Sequence, residues 1–172
     1  SPPPPRRAFN IAQTFLQILD NCCLVLLLKL NCHGAMIRQV KQLLDEMIEM
    51  YLSIDKVALR VQTHCTLTAA RGMLRMFSVT AEDKYLSGAK EIYDLYVNGG
   101  GMTYTYQNLN WWGRPDTWTE PCAIVDSLMI ALELYKITGD ESYRKTAAKI
   151  YHNGFSTLQR ENGGAGTDTI IT

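Results

Sequence analysis

A carboxylate and a thiol two positions apart, Glu120 and Cys122, close a loop that holds every tryptophan of the chain, Trp111, Trp112 and Trp118, with Arg114 and Asp116 between them. Zinc accepts both carboxylate and thiolate ligands. The run Thr119-Glu120-Pro121-Cys122 precedes apolar residues at helical spacing. Thr119 therefore reads as an N-cap and Pro121 as a first-turn residue whose missing N–H has no helical partner to lose. Glu120 and Cys122 then project from a helix N-terminus, where the dipole favours anions and lowers a thiol's pKa. One Glu-x-Cys pair is half a zinc site at most. In the plainer reading Glu120 decorates the first turn and Cys122 is a small buried hydrophobe.

The loop itself begins at Gly99-Gly100-Gly101, which stop a helix, and runs unperiodically to Glu120. Loops of that length inside a domain are functional or disordered, and its aromatic and charged content argues for function. The elements that must position it are helical. Asn10 can cap a helix to about Leu30, ended by Asn31 and Gly34. A second helix is expected from about Met36 to Leu52, on the stripe Met36, Val40, Leu43, Leu44, Met47, Ile48 and Tyr51. A third is expected from about Lys56 to Val79, with Leu59, Thr66, Leu67, Ala70, Leu74 and Phe77 in register. No stretch alternates with period two for long enough to make a buried strand, so the class is all-α.

The back half repeats itself. Thr80, Tyr85, Ala89, Ile92 and Tyr93 recur as Thr138, Tyr143, Ala147, Ile150 and Tyr151, 58 positions on. Thr138-Gly139-Asp140 reads as a C-cap glycine followed by an N-cap, the turn of a helical hairpin. Hairpins cannot bury both faces alone and must stack, as a solenoid or a closed toroid. The long repeat favours antiparallel hairpins forming part of an (α/α)6 toroid. A Pro-rich start, residues 1–9, then precedes a partial barrel over residues 10–172 with about three hairpins.

The 172 residues are one domain's worth, and 17 basic against 17 acidic side chains leave no net field for nucleic acid or an anionic membrane. The apolar run at residues 22–30 is too short to span a bilayer. Five scattered cysteines without C-x-x-C spacing are no disulfide framework, and fit a reducing, cytoplasmic compartment slightly better.

The run Arg114-Pro-Asp-Thr-Trp-Thr-Glu-Pro-Cys-Ala, the helix after it and the Thr138-Gly-Asp-Glu-Ser-Tyr turn resemble the non-reducing-end β-L-arabinofuranosidase family, glycoside hydrolase family 127, which is a six-hairpin (α/α) barrel. The resemblance covers roughly Tyr51 to the C-terminus. It implies a zinc ion held by Glu120, Cys122 and an adjacent cysteine pair, one of them the nucleophile; that pair would lie beyond Thr172, and Cys22-Cys23 sits in an apolar helix on the wrong side of the site. Hydrolysis by this chain alone is therefore not expected. His64 resembles a histidine that contacts sugar in the family. The family's acid/base is a glutamate upstream of Glu-x-Cys, but residues 99–119 contain only Asp116, which either substitutes or leaves the proton to a residue elsewhere. For a carbohydrate substrate, Trp111, Trp112 and Trp118 offer flat apolar faces unless they seal the end of the core. Gln107, Asn110, Arg114 and Asp116 can pair with hydroxyls. The alternatives are another hairpin-toroid hydrolase or epimerase without zinc, and a non-catalytic helical-repeat interaction module. A ring left open would expose Leu128, Ile130, Leu132 and Leu134 for self-association.

Overall fold

The computed structural model describes residues 34–165. The expected helix from Asn10 to Leu30, the Pro-rich start, Cys22, Cys23, Cys32 and the end of the Gly-rich tail lie outside the described residues. Five α-helices follow in order: α1 (Ala35–Leu52), α2 (Thr63–Thr80), α3 (Asp83–Asn98), α4 (Pro121–Thr138) and α5 (Glu141–Lys149). The last winds on through a π-helical turn, Ile150–Phe155, and a 3-10 turn, Ser156–Leu158. Among the described residues only isolated β-bridges occur and no strand, in keeping with an all-α class. No described helix is long and apolar enough to cross a membrane.

Each helix buries the stripe that its spacing dictates, with some shifts. In α1 Leu44, Met47, Ile48 and Tyr51 reach the core, while Leu43 is 48% exposed and falls off the expected stripe. The expected start of α2 at Lys56 is displaced to Thr63. Asp55 takes the backbone N–H groups of Val57 and Ala58, Lys56 turns back over the Tyr51 ring to donate to the carbonyls of Leu52 and Ile54, and Arg60 adopts a left-handed φ of 49°. Those local bonds compete with a helix and win. From Thr63 onward α2 is buried on nearly every side, whereas α3 buries one stripe, Tyr85, Ala89, Ile92, Tyr93 and Tyr96. An inner helix surrounded by neighbours and an outer helix with one wet face account for that difference.

The repeat is real in three dimensions. Thr80 and Thr138 each donate a hydroxyl four residues back, to Met76 and Leu134, and each accepts the N–H of the residue two further on, Glu82 and Asp140. The C-cap N–H groups of Ala81 and Gly139 both reach back to a carbonyl at 2.8 Å, of Phe77 and Tyr135. Hairpin α2–α3 and hairpin α4–α5 are thus closed by the same turn. The helices that begin them pack side by side, and the contacting pairs Gln62–Glu120, His64–Cys122 and Thr68–Asp126 are all separated by 58 positions. A constant difference along the chain means two parallel helices in register; antiparallel neighbours would give a constant sum. On α4 the expected exposed set divides: Ile130 and Leu134 are fully buried and Leu128 is half-buried, leaving only Leu132 of the four outside; Met129, not among them, is exposed as well. The 3.6-residue period turns the first two toward α2 and away from solvent.

Position 81 gives the repeat a test. Ala81 and Gly139 both sit in the left-handed region, at φ 54° and 72°. There a side chain costs about 1–2 kcal/mol, partly offset by glycine's larger unfolded-state entropy. Ala81→Gly is expected to stabilise the protein by about 0.5–1 kcal/mol and Gly139→Ala to destabilise it by a similar amount. Urea unfolding checks both, and equal signs for the two substitutions would show that the turns are not equivalent.

Candidate functional site

The loop between α3 and α4 is folded back against the N-terminus of α2. Asn110 gives its carbonyl to the N–H of Thr63 at 2.9 Å, and Trp112 gives its N–H to the carbonyl of Val61 at 3.1 Å. This short antiparallel pairing, centred on Gln62 and Trp111, alternates side chains in and out. Trp112 therefore points inward. It is fully buried, its ring edge-on to Tyr96 at 6.4 Å, and it packs so closely on Gly101 that a Cβ there would lie 2.8 Å from the indole. Expected as a sugar platform, Trp112 is instead a core residue that fixes the loop. Trp111 and Trp118, 37% and 48% exposed, keep faces in solvent.

Beside this loop the N-termini of α2 and α4 lie together and form a cluster. Glu120 is the N-cap of α4, with Pro121 at the first helical position; Thr119, the expected cap, is one residue outside and its hydroxyl is buried without a hydrogen bond among the described residues. Cys122 occupies the second helical position of α4 as His64 does in α2. His64 Nδ1 is 3.4 Å from Cys122 Sγ and 3.9 Å from Glu120 Oε2. His64, Glu120 and Cys122 each offer one ligand atom, and these lie within 4.8 Å of one another. On the other side of the ring, Nε2 is 3.4 Å from Asp126 Oδ2, whose carboxylate is 7% exposed. Arg71 Nη1 donates to Asp126 Oδ1, and the Thr68 hydroxyl is 3.2 Å from Oδ2.

Glu120 is held through its backbone by one residue and through its carboxylate by two. Asn108, fully buried, accepts the Glu120 backbone N–H at 2.9 Å and donates to Thr63 Oγ1 at 3.3 Å. Gln62 Nε2 donates to Glu120 Oε2 at 3.3 Å. The Asn110 amide suits its surroundings with the nitrogen toward Glu120 Oε2, 2.9 Å away, and the oxygen accepting from the Trp118 indole N–H at 3.2 Å. Asn110 thereby ties a partly exposed tryptophan to a pinned carboxylate.

The other expected residues stand apart from this group. Arg114 and Asp116 form a two-pronged pair, 2.7 Å at each contact, on an exposed bend. That pairing holds the Asp116 carboxyl below the usual range. Gln107 is half-buried in the preceding turn, its backbone bonded to Thr103. A cleft of about 540 Å³, lined by residues that include Met102, Tyr104, Tyr106 and Leu109, contains none of the cluster. Gln62, Thr68, Arg71, Asn108 and Asp126 are the site residues that the sequence reading passes over. A lone acid within the apolar run Ala-Ile-Val-Asp-Ser-Leu was the available signal for Asp126.

The electrostatics reverse one expectation. Partial withdrawal from water and the neighbouring Glu120 charge push the Cys122 thiol up, outweighing the helix N-terminus that was expected to lower it. His64 is raised, chiefly by its hydrogen bond to Asp126 and against the effect of burial. Burial raises Asp126, but the bonds and charges of His64 and Arg71 prevail and hold it low. No protein-family model and no curated protein matches the chain.

Those shifts set a pH window for the metal-free protein. A raised histidine binds its proton more tightly folded than unfolded, so its contribution is whole below about pH 6.5 and fades as pH rises through the raised value. A lowered aspartate contributes above about pH 4, and that share is lost as pH falls through the lowered value. With chelator present, the wild-type unfolding free energy minus that of His64→Gln, from urea titrations, is expected to peak between these limits and decline toward pH 8, by about 1 kcal/mol or less. A difference that is flat from pH 5 to 8 would show the pair to be electrostatically silent.

Proposed function

We propose that this chain carries the sugar- and metal-binding face of a glycoside hydrolase of the β-L-arabinofuranosidase kind, built from hairpins of an (α/α) toroid and directed at L-arabinofuranosides or related plant glycans. The observation that carries the reading is the pinned Glu120 with Cys122 two residues on, flanked by Trp118 at the N-terminal end of two parallel helices. Parallel, in-register first helices of successive hairpins are what the inner ring of such a toroid requires, and that packing supports the architecture.

Glu120 and Cys122 would hold zinc, whose ligand preferences match an O and S pair. Bound there, zinc supplies a Lewis acid and keeps the thiol deprotonated. The chain's own residues do the rest. Trp118 presents an apolar face with its N–H fixed by Asn110, so a sugar ring stacked on it has a defined height above Glu120. Trp111, adjacent to Gln62 in the pairing with α2, offers a second face. Gln62 and Asn110 hold the Glu120 carboxylate in place. Asp116 is not the acid of this reading, because it stands apart from the cluster, paired with Arg114 on an exposed bend.

Titration of the zinc-loaded protein with arabinofuranosyl oligosaccharides, followed by tryptophan fluorescence, is expected to give saturable binding. Trp118→Ala should weaken it about tenfold, the value of one stacked aromatic face. Binding of equal strength in Trp118→Ala would remove the platform from the site. No saturable response to any arabinofuranoside would return the chain to the non-catalytic helical module.

A further inference from the structure

Two protein ligands leave a tetrahedral metal shell half empty. Resting on the assignment of Glu120 and Cys122 above, we infer that His64 Nδ1 is a third ligand of the same ion and that Asp126 is the positioning residue that presents it. In a tetrahedral zinc site, bonds of roughly 2.0–2.3 Å place ligand atoms roughly 3.4–3.6 Å apart. Nδ1 stands 3.4 Å from the Cys122 sulfur and 3.9 Å from Glu120 Oε2. Small side-chain rotations therefore suffice to seat a cation among the three.

The far nitrogen decides which way the ring serves. Nε2 faces Asp126 Oδ2 at 3.4 Å, and a proton kept there on the carboxylate side leaves the Nδ1 lone pair for the ion. Asp126 is itself fixed, through Oδ1 by Arg71 and through Oδ2 by the Thr68 hydroxyl. Nitrogen, oxygen and sulfur donors with one position left over make the three-ligand, open arrangement of catalytic zinc rather than the closed shell of structural zinc. Cys122 is exposed, so a cation held there would be within reach of water or a sugar hydroxyl.

His64→Gln separates ligation from packing, because the glutamine amide can still donate to Asp126 in place of Nε2 while Nδ1 has no counterpart. Zinc affinity is read by competition with a chromophoric chelator, and cobalt(II) spectra report thiolate ligation and coordination geometry. Wild-type protein is expected to bind one zinc. His64→Gln should weaken it at least a hundredfold, and Asp126→Asn by about 10–100-fold. Imidazole nitrogen shifts of the metal-free protein give a readout that mere structural support would not move: His64 should be the Nε2-protonated tautomer in the neutral form, and Asp126→Asn should mix the tautomers. If His64→Gln melts early, restoration of the tetrahedral cobalt spectrum by free imidazole in His64→Ala provides the same test. Zinc binding lost in Cys122→Ala yet unchanged in His64→Gln overturns this inference alone. Wild-type protein that takes up no zinc overturns the metal assignment of Glu120 and Cys122 together with it.

Discussion

A carboxylate in the core of a helical protein must be paired or it will not stay ionised, and the rest of this structure is arranged around that requirement at Asp126. Leaving it uncompensated would cost several kcal/mol. Its partners, His64, Thr68 and Arg71, all come from α2, spaced over two turns of one face. Those contacts can be made only if α2 and α4 run parallel with no slip along their axes. Apolar packing around Leu67, Ala70, Ile130 and Leu134 is tolerant of sliding, because hydrophobic contact has little direction. The buried carboxylate is not tolerant. It fixes the register, and the register brings the two helix N-termini to the same level.

The two hairpins keep their framework and diverge along the seam. Thr80 and Thr138 make the same pair of hydrogen bonds, and Ala89 with Ala147 and Ile92 with Ile150 are buried in both copies. Facing one another, however, are unlike residues: Gln62 donates to Glu120, His64 meets Cys122, and Thr68 meets Asp126. A carboxylate in both copies at the 62/120 or 68/126 position would set acid against acid. Divergence at the seam supplies a mixed set of chemical groups. The outer helices differ for another reason. Tyr93 is buried while its counterpart Tyr151 is 49% exposed, and α1 packs on the α3 side through Asp45 and Tyr85.

Much of the framework was legible because its causes are local. The stripe of α3, the left-handed glycine after α4 and the Asp140 cap each depend on residues within a few positions. The start of α2 was misjudged because Asp55, Lys56 and Arg60 satisfy the backbone in another way, and apolar spacing does not report such bonds. Trp112 was indistinguishable from Trp111 in the sequence, since only pairing with residues 61–63 sets which of two neighbours faces inward. His64 is the instructive case. The 58-residue repeat was visible, and adding 58 to 64 gives Cys122, but repetition alone does not say whether equivalent helices touch. Parallel packing in register turns a period in sequence into a contact in space.

That contact also explains why the cluster lies where it does. At the N-terminal ends of α2 and α4 the helix dipoles add a positive potential that favours a carboxylate at the N-cap position of Glu120, although its side chain bonds no helix N–H. That potential is not enough for Cys122, whose thiol is raised by burial and by the same Glu120. Two carboxylates, a thiol and an imidazole then share a space in which Arg71 is committed to Asp126, so further negative charge on sulfur is poorly compensated from within the protein. A divalent cation, as proposed above, would reverse each of these disadvantages together, since Glu120, the thiolate and the imidazole nitrogen left free by Asp126 are all suited to hold it. The strain in the proton balance of the metal-free cluster and the complementarity of its donor atoms have one origin, the parallel seam that Asp126 holds in register.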